Sequence, residues 1–501
     1  MTNDAPKEKP NPRILMVTPE IAYFPEGMGS RVASLSAKAG GLADVSAALI
    51  QALFIEGADV HVAIPDYRAL FNRRLPQSLQ RDLGSIQRQI PDERVHLAAD
   101  RAFFYLPGVY TGHGWEKVKV SLAFQREVIN NIIPRIQPDL VHCNDWVTGL
   151  VPAAARQMGV PSLFTMHNIH TVHCPLAAME DRGIDTAAFW NNLYFEYPPE
   201  SYEASRHTNP VDLLTSGVFA AHFVNTVSPS FLLEAAQGRH AFVPACLQRE
   251  LANKVAADCA TGILNAPDAS FDPGTDACLH RCYGADGPLP GKEANKRHLQ
   301  QKLELCENLR APLFFWPSRL DPVQKGCQLL AEILYAVVSR HWGRGLQVVF
   351  VADGDFQDVF RNITAFHGLH DRVAVCGFDE DLARLAYAAA DFVLMPSLYE
   401  PCGLPQMIGP LYGTLPVAHK TGGIQDTVRH LAEDGRTGNG FLFETYDSAG
   451  LLWAMDQAAR FHELPEAARS ERVARIMRDS RRQFNHTVTA RNYMALYEKM
   501  L

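Results

Sequence analysis

A glycine pair beside a lysine is the first feature of this sequence that could do chemistry. Residues 38–44 read Lys-Ala-Gly-Gly-Leu-Ala-Asp and open a predicted helix, which places Lys38 close to Gly40 and Gly41. Paired glycines let backbone N–H groups approach an anion, and a helix N-terminus favours negative charge. The segment fits a phosphate-binding turn, although an ordinary glycine turn at a helix start is the simpler explanation when the segment is taken alone.

Two predicted strands end in histidine together with a carboxylate or an amide side chain. His142 and Asp145 follow one strand, and His167 and Asn168 follow the strand predicted at residues 162–166. Ligands of open α/β sheets lie beyond the C-terminal ends of the strands, which favours a functional site. A single histidine is more often structural, so both interpretations of these histidines stay open.

The second half of the chain offers two cations and one constrained carboxylate. Arg319 and Lys325 precede a predicted helix, where two cations could neutralise a diphosphate, and a solvated loop fits them as well. Glu400 lies in a loop constrained by Pro401 and Gly403. A carboxylate held in this way suits the recognition of sugar hydroxyls.

A metal site is the weaker interpretation of the histidines. His167, His170, His173 and Cys174 are close in sequence, but their spacing matches no common zinc pattern. The spacing of the Cys-Leu-His-Arg-Cys segment at residues 278–282 is equally poor. The sequence therefore predicts no metal and no cofactor.

The elements that must position these residues alternate between strand and helix, and they do so twice along the chain. The predicted strands lie at residues 14–17, 60–64, 140–142, 162–166, 222–227, 313–316, 347–351, 372–376, 392–395 and 415–418. Such alternation indicates parallel sheets covered by helices on both faces. The predicted fold class is α/β, with two doubly wound Rossmann-like domains facing a central cleft, and we expect Lys38 and Glu400 on its opposite sides.

Composition sets further bounds on the class of protein. A chain of 501 residues suggests two to four domains, and 47 Lys+Arg against 55 Asp+Glu disfavour binding to nucleic acid or anionic membranes. Ten cysteines without Cys-x-x-Cys pairs are typical of free thiols in a reducing cytosol. No apolar run reaches the roughly 18 residues of a membrane span. We therefore expect a cytoplasmic protein with a disordered tail at residues 1–12.

Taken together, the motifs resemble those of the glycogen and starch synthases, which are retaining glucosyltransferases of the GT-B fold. The matching segments are Lys-Ala-Gly-Gly-Leu-Ala-Asp-Val at 38–45, His-Cys-Asn-Asp-Trp at 142–146, His-Asn at 167–168, Glu-Pro-Cys-Gly-Leu at 400–404, Tyr-Gly-Thr-Leu-Pro-Val at 412–417 and Thr-Gly-Gly at 421–423. They occur in order along residues 13–460. The departures include Ala39 for the family's threonine, an apparent insertion at 22–36, and one extra residue between Arg319 and Lys325. Residues 265–268 and Ile408 also differ from the family's pattern, and residues 170–210 match it poorly.

The resemblance implies transfer of glucose from a nucleotide-sugar, with ADP-glucose favoured over UDP-glucose, to the non-reducing end of an α-1,4-glucan. It implies an acceptor-side domain at residues 13–262, a nucleotide-sugar domain at 263–480, and a C-terminal helix at 481–501 that could cross back. The implied residues are catalytic (Lys38, Asp145, His167, Arg319, Lys325 and Glu400), donor-binding (Gly40, Gly41, Gly403, Leu404, Thr421 and Gly422) and acceptor-binding (Glu20, Asp44 and Asn168). A GT-B enzyme with another donor or acceptor, or a non-catalytic glucan-binding homologue, is the alternative.

Overall fold

The computed structural model of the protein describes residues 11–29, 35–72, 94–109 and 114–501. The tail predicted at residues 1–12 lies almost wholly outside these residues, as do residues 30–34 of the apparent insertion. The chain divides into two compact units. The first comprises residues 1–227, 232–263 and 486–501, and the second comprises residues 228–231 and 264–485.

The first unit is built on a parallel sheet. Its strands are β1 (Arg13–Val17), β2 (Asp59–Pro65), β3 (Val95–Ala98), β4 (Leu140–Asn144), β5 (Ser162–Met166), β6 (His173–Cys174), β7 (Val211–Asp212), β8 (Phe223–Thr226) and β9 (Ala260–Gly262). The sheet has the order β3-β2-β1-β4-β5-β8-β9, and β6 pairs with β7 as a short antiparallel ladder. Every side chain of β4 and β5 is buried, as expected where helices cover both faces of a parallel sheet.

The second unit repeats this plan. Its strands are β10 (Leu313–Trp316), β11 (Gln347–Val351), β12 (Val373–Cys376), β13 (Phe392–Met395), β14 (Leu415–His419) and β15 (Phe441–Phe443), in the order β12-β11-β10-β13-β14-β15. All pairings are parallel. Large aromatic side chains fill its core, among them the fully buried Trp316 and Phe350. The two sheets confirm the predicted doubly wound α/β fold.

Helices connect the strands in both units. In the described residues the α-helices are Gly41–Ile55, Arg68–Asn72, Arg101–Phe104, Trp115–Glu127, Ile133–Ile136, Val151–Gln157, Leu176–Glu180, Tyr202–Ser205, Leu213–Ala220, Pro229–Ala236, Ala245–Ala256, Leu289–Lys302, Cys327–Arg340, Gln357–Phe366, Glu380–Ala389, Pro405–Leu411, Gly422–Thr427, Ser448–His462, Glu466–Gln483 and His486–Met500. A π-helical segment, Val128–Ile132, continues Trp115–Glu127. None of the helices in this part of the chain is both long and apolar enough to cross a membrane.

The last helix, His486–Met500, is tied to the first sheet through buried hydrogen bonds. The Tyr497 hydroxyl lies 2.8 Å from His142 Nδ1, and the Asn225 amide donates to the Tyr493 hydroxyl at 2.8 Å. His142 is fully buried, and its Nε2 lies 2.7 Å from Thr165 Oγ1. Burial lowers the pKa of His142 to about 3, so the ring is neutral at physiological pH. Of the two interpretations of this histidine, the structural one is correct.

Candidate active site

Each sheet has one point where the strand order reverses. In the first sheet β1 lies between β2 and β4, and in the second β10 lies between β11 and β13. Connections leave such neighbouring strands in opposite directions, which opens a crevice at their carboxyl ends. The segments singled out from the sequence follow these strands, and they form one half-site in each unit.

In the first half-site, Glu20 holds the glycine turn. Its Oε2 accepts hydrogen bonds from the N–H groups of Ala39 at 2.8 Å and Gly40 at 3.0 Å. Gly40 is the residue that caps the helix Gly41–Ile55, so the carboxylate sits where the helix end favours negative charge. Lys38 Nζ lies 3.0 Å from Asp44 Oδ2, and both side chains are partly exposed. The resemblance implies that Gly40 binds the nucleotide-sugar donor. In the structure, the Gly40 N–H group donates its hydrogen bond to Glu20.

Asp145 organises the loop after β5. Its Oδ1 accepts from the backbone N–H of His167 at 2.7 Å, and its Oδ2 accepts from the Asn168 side chain at 3.0 Å. Asp145 itself has φ 57° and ψ 177°, a conformation that non-glycine residues rarely adopt. The carboxylate therefore fixes His167 and Asn168 relative to β4, at the cost of local backbone strain.

The hydrogen bonds of Asn144 determine which nitrogen of His167 carries the proton. Asn144 Nδ2 donates to the carbonyl of Val17 at 3.1 Å, so Asn144 Oδ1 faces His167 Nε2 at 2.9 Å. An amide oxygen can only accept, which requires a proton on Nε2 and leaves a lone pair on Nδ1. Nδ1 has no partner among the residues that the structure describes. His167 can therefore accept a hydrogen bond from a ligand hydroxyl.

Burial sets the ionisation of these two side chains. It lowers the pKa of His167 to about 4, which keeps the imidazole neutral. Burial also raises the pKa of Asp145 to about 7, although the N–H donors of His167 and Asn168 act in the opposite direction, and the neighbouring Glu20 carboxylate adds to the rise. The lowered pKa makes His167 a weak base, whereas the raised pKa makes Asp145 a stronger base than an ordinary carboxylate and leaves it partly protonated at neutral pH.

In the second half-site, Lys325 and Glu400 form an ion pair. Lys325 Nζ lies 2.6 Å from Glu400 Oε2, and both side chains are about nine-tenths buried. Ser397 Oγ donates to the same carboxylate oxygen at 3.1 Å. The helix Pro405–Leu411 receives no side-chain cap, so Glu400 does not cap it. The two residues belong to the loops after β10 and β13, which flank the reversal point.

Close backbone approaches explain two of the glycines around this pair. A Cβ on Gly326 would lie 2.0 Å from the Pro396 carbonyl, and one on Gly422 would lie 2.2 Å from the Glu400 carbonyl. Both glycines also have positive φ, of 71° and 43°. The Gly423 N–H donates to the Glu400 carbonyl at 2.9 Å. The loop after β14 is thus packed directly onto the backbone of Glu400.

Arg319, which was predicted to be catalytic, and the predicted donor-binding residues of this unit are not part of the ion pair. Arg319 is largely exposed, and its nearest acidic neighbour, Asp321, is 3.9 Å away. Thr421 is buried at the start of the helix Gly422–Thr427, but its side chain does not cap that helix. In the described residues, the N–H groups of Gly403 and Leu404 have no acceptor. A guanidinium and two backbone donors are therefore available to an anionic ligand.

The predicted site residues are divided between the two units. Glu20, Lys38, Gly40, Gly41, Asp44, Asp145, His167 and Asn168 belong to the first, and Arg319, Lys325, Glu400, Gly403, Leu404, Thr421 and Gly422 belong to the second. Sequence reasoning missed the positioning residue Asn144, although its place at the end of β4 was a usable signal. Within the described ranges, no cluster of three or more His, Cys, Asp or Glu side chains could hold a metal ion.

Comparisons with known proteins cover nearly the whole chain. Residues 13–242 match the family model of the starch synthase catalytic domain, and residues 311–460 match that of the group 1 glycosyl transferases. A glycogen synthase of Syntrophotalea carbinolica is 31% identical over 97% of this chain and 98% of its own length. One from Moorella thermoacetica is 33% identical, with coverage of 98% and 97%.

Solved structures show the same likeness. The catalytic domain of starch synthase IV from Arabidopsis thaliana, bound to ADP and acarbose, has a TM-score of 0.75 at 25% identity and covers 98% of this chain and 99% of its own. The Anabaena protein HepE, in complex with UDP and glucose, has a TM-score of 0.54 at 16% identity, with coverage of 98% and 100%, and shares the fold. With two doubly wound sheets of the GT-B fold and relatives matched along almost its entire length, this chain is a glucosyltransferase and belongs to the glycogen synthase family.

Proposed function

We propose that the protein transfers glucose from ADP-glucose to the non-reducing end of an α-1,4-glucan, with retention of configuration at the anomeric carbon. The observation that carries the proposal is the Lys325–Glu400 ion pair at the reversal point of the second sheet, with the exposed Arg319 in the same loop as Lys325. The choice of ADP is supported by the starch synthase structure, which is described as bound to ADP and acarbose. The choice of acceptor is supported by relatives described as glycogen synthases.

The leaving group is a diphosphate whose negative charge grows in the transition state. Arg319 and Lys325 supply two cations from one loop of the second unit, and the family resemblance assigns Lys38 a similar role. Positioned charges of this kind stabilise the transition state more than the bound substrate. The hydrogen bond of 2.6 Å to Glu400 fixes the position of the Lys325 ammonium group.

The transferred sugar requires acceptors for its hydroxyl groups. Glu400 presents a carboxylate whose position is fixed by Lys325 and Ser397. Hydrogen-bond donors for the sugar come from two loops. The N–H groups of Gly403 and Leu404 belong to the same loop as Glu400, and the Thr421 side chain belongs to the loop that packs against it. We assign Glu400 to orient the glucose ring, because a misaligned anomeric carbon loses reactivity more than affinity.

The first half-site serves the acceptor and the reacting face of the sugar. His167 Nδ1 accepts a hydrogen bond from a sugar hydroxyl, while Asp145 positions the His167–Asn168 loop. Glu20 and Asp44 contribute carboxylates on the acceptor side. Because Glu20 already binds the Ala39 and Gly40 amides, it shapes the turn that carries Lys38.

Retention follows if the acceptor attacks from the face that the diphosphate leaves. The bond between C1 of glucose and the diphosphate oxygen breaks, and the acceptor's O4 forms its bond to C1 on the same side. The hydroxyl proton of the acceptor passes to an oxygen of the departing diphosphate. No enzyme nucleophile is needed, since Arg319 and Lys325 stabilise the leaving group while the acceptor approaches.

The test is an assay of the purified protein with ADP-glucose or UDP-glucose, each with and without glycogen, in which release of nucleoside diphosphate is measured. We expect glycogen-dependent release of ADP, with new α-1,4 linkages detected by NMR. Release with another donor or acceptor would favour a different GT-B activity. Absence of release with every donor, together with glycogen binding, would favour a non-catalytic glucan-binding homologue.

A further inference from the structure

The second unit has a cavity whose walls do not include Lys325 or Glu400. It measures about 700 Å³ and lies at the carboxyl ends of β14 and β15, along the start of the helix Ser448–His462. The walls that matter here are Lys420, Gln425, Arg429, His430, Glu444 and Trp453, which together define the Trp453 groove. Its volume lies within the roughly 300–1,000 Å³ typical of small-molecule sites.

An aromatic platform forms one wall of the Trp453 groove. The Trp453 side chain is 46% exposed, and its ring stacks on that of His430 with centroids 5.6 Å apart and planes 20° apart. The His430 ring is held in turn by the edge of Phe441 and by the Leu442 N–H, which donates to Nδ1 at 3.2 Å. Trp453 is therefore a large exposed ring in a fixed orientation, which is typical of an aromatic side chain in a binding site.

Polar groups surround this platform. Because His430 Nδ1 accepts from the backbone, Nε2 carries the proton and can donate. The Arg429 guanidinium has no acceptor in the part of the chain that the structure describes, and it offers a planar fork of N–H donors. Lys420 and Glu444 form an ion pair at 2.7 Å. An aromatic face bordered by planar donors and a carboxylate matches a sugar, which has apolar C–H faces and a rim of hydroxyls.

Glu444 weakens the attraction of the groove for an anionic ligand, because it offsets one of the two cations, Lys420 and Arg429, in the walls. Glu444 neutralises Lys420, and its carboxylate would repel a phosphate that approached Arg429 from that side. A neutral polyhydroxylated ligand meets no such penalty. The groove also begins at Lys420, next to Thr421 of the second half-site, so a polymer could be held here while its end is elongated.

We propose that the Trp453 groove binds a segment of the α-glucan, remote from the chain end that receives glucose. The proposal rests on the proposed function, since it assumes that the acceptor is a glucan polymer. Holding one branch of a polymer raises the effective concentration of its other chain ends at the site of transfer. The groove therefore contributes to affinity for glycogen but not to the chemical step.

The experiment is native electrophoresis through gels that contain increasing amounts of glycogen, which yields a dissociation constant without donor or turnover. We expect Trp453→Ala and Arg429→Ala each to weaken glycogen binding by about tenfold, the scale of losing one stacking or charged contact. The loss should also appear in the KM for glycogen. The matched control is Trp342→Ala, which removes another tryptophan of the second unit, 49% exposed and stacked on Arg372, and which should bind as the wild type does.

The outcomes separate this proposal from the proposed function. The groove assignment would be overturned if Trp453→Ala and Arg429→Ala had the melting temperature of the wild type and were retarded by glycogen as strongly as the wild type. Weakened binding of ADP with unchanged glycogen retardation would overturn it in favour of a nucleotide site. Failure of the wild type to transfer glucose would refute the proposed function, whatever the gels show.

Discussion

Lys325 Nζ and Glu400 Oε2 lie 2.6 Å apart although 75 residues separate them along the chain. The two side chains are nearly buried, and each compensates the charge of the other. The contact forms because β10 and β13 are neighbours, so the loops that follow them meet. In the proposed function, the diphosphate of the donor competes with Glu400 for Lys325, so that binding of the phosphates frees the Glu400 carboxylate to bind the sugar.

Replacement of Lys325 by alanine should lower both turnover and stability. Loss of a transition-state cation predicts a decrease in kcat of ~10²-fold or more. Glu400 is left buried without its partner, which predicts a loss of about 3 kcal/mol in the free energy of unfolding. Assays of nucleoside diphosphate release and denaturant unfolding check both expectations. A double variant, Lys325→Met with Glu400→Gln, should regain stability without regaining activity.

Arg319→Ala is the contrasting case. We expect kcat to fall by ~10²-fold as well, because the same growing charge loses a donor. The free energy of unfolding should stay within about 0.5 kcal/mol, since the side chain is largely exposed and pairs only weakly. Near-normal turnover would mean that the extra residue between Arg319 and Lys325 has moved the guanidinium away from the phosphates.

Glu400→Gln should lower turnover more than it raises the KM for the donor. Glutamine keeps the shape of the side chain, but it removes the charge that holds Lys325 and replaces one acceptor oxygen with a donor. We expect kcat to fall ~10²-fold while the KM changes less than about fivefold. Steady-state kinetics of nucleoside diphosphate release give both values. Unchanged kcat with a lowered melting temperature would mean that Glu400 stabilises the fold through Lys325 and does not orient the sugar.

Asn144→Ala should allow His167 to adopt both neutral tautomers. Without the amide oxygen of Asn144, the proton is no longer confined to Nε2, and kcat should fall by roughly tenfold or more. Long-range ¹H–¹⁵N NMR spectra of labelled histidine distinguish the two tautomers and check the cause directly. Asn130→Ala, which removes an exposed amide elsewhere in the first unit, serves as the control. An unaltered tautomer in Asn144→Ala would contradict the assignment.

The stability of the first unit should depend on the ionisation of Asp145. Its pKa is raised to about 7 in the folded protein, against about 3.9 in the unfolded chain. Between these values the folded state holds a proton that the unfolded state has released, so the contribution of Asp145 to stability declines as pH rises from 4 to 7. The difference in unfolding free energy between the wild type and Asp145→Asn should follow this decline. A constant difference would show that Asp145 is ionised in the folded protein.

Local patterns predicted ten of the fifteen strands in the described residues, and they missed the short strands β3, β6, β7, β9 and β15. The strands at 162–166, 347–351 and 392–395 coincide with β5, β11 and β13, because uninterrupted apolar runs bounded by turn residues have few other ways to be buried. The sequence did not show which strands are neighbours at the reversal point, since this depends on pairing between strands that are far apart along the chain. That is why the Lys325–Glu400 contact was not anticipated.

The histidines show a second limit of sequence reasoning. His142 and His167 both follow or end a buried strand, and their neighbours are similar in type. They differ because Tyr497, at the far end of the chain, covers His142, whereas no described residue bonds to His167 Nδ1. The role of a polar residue at a strand end thus depends on distant segments that arrive only in the folded protein.

The helix His486–Met500 has a consequence for the order in which the protein folds. The first unit is completed by residues 486–501, which are synthesised after all of residues 264–485. His142 and Asn225 receive their Tyr497 and Tyr493 partners from this helix. During synthesis the second unit therefore has its whole sequence available before the first can bury these polar groups, and the nascent first unit must persist with an incomplete core until translation reaches the final helix.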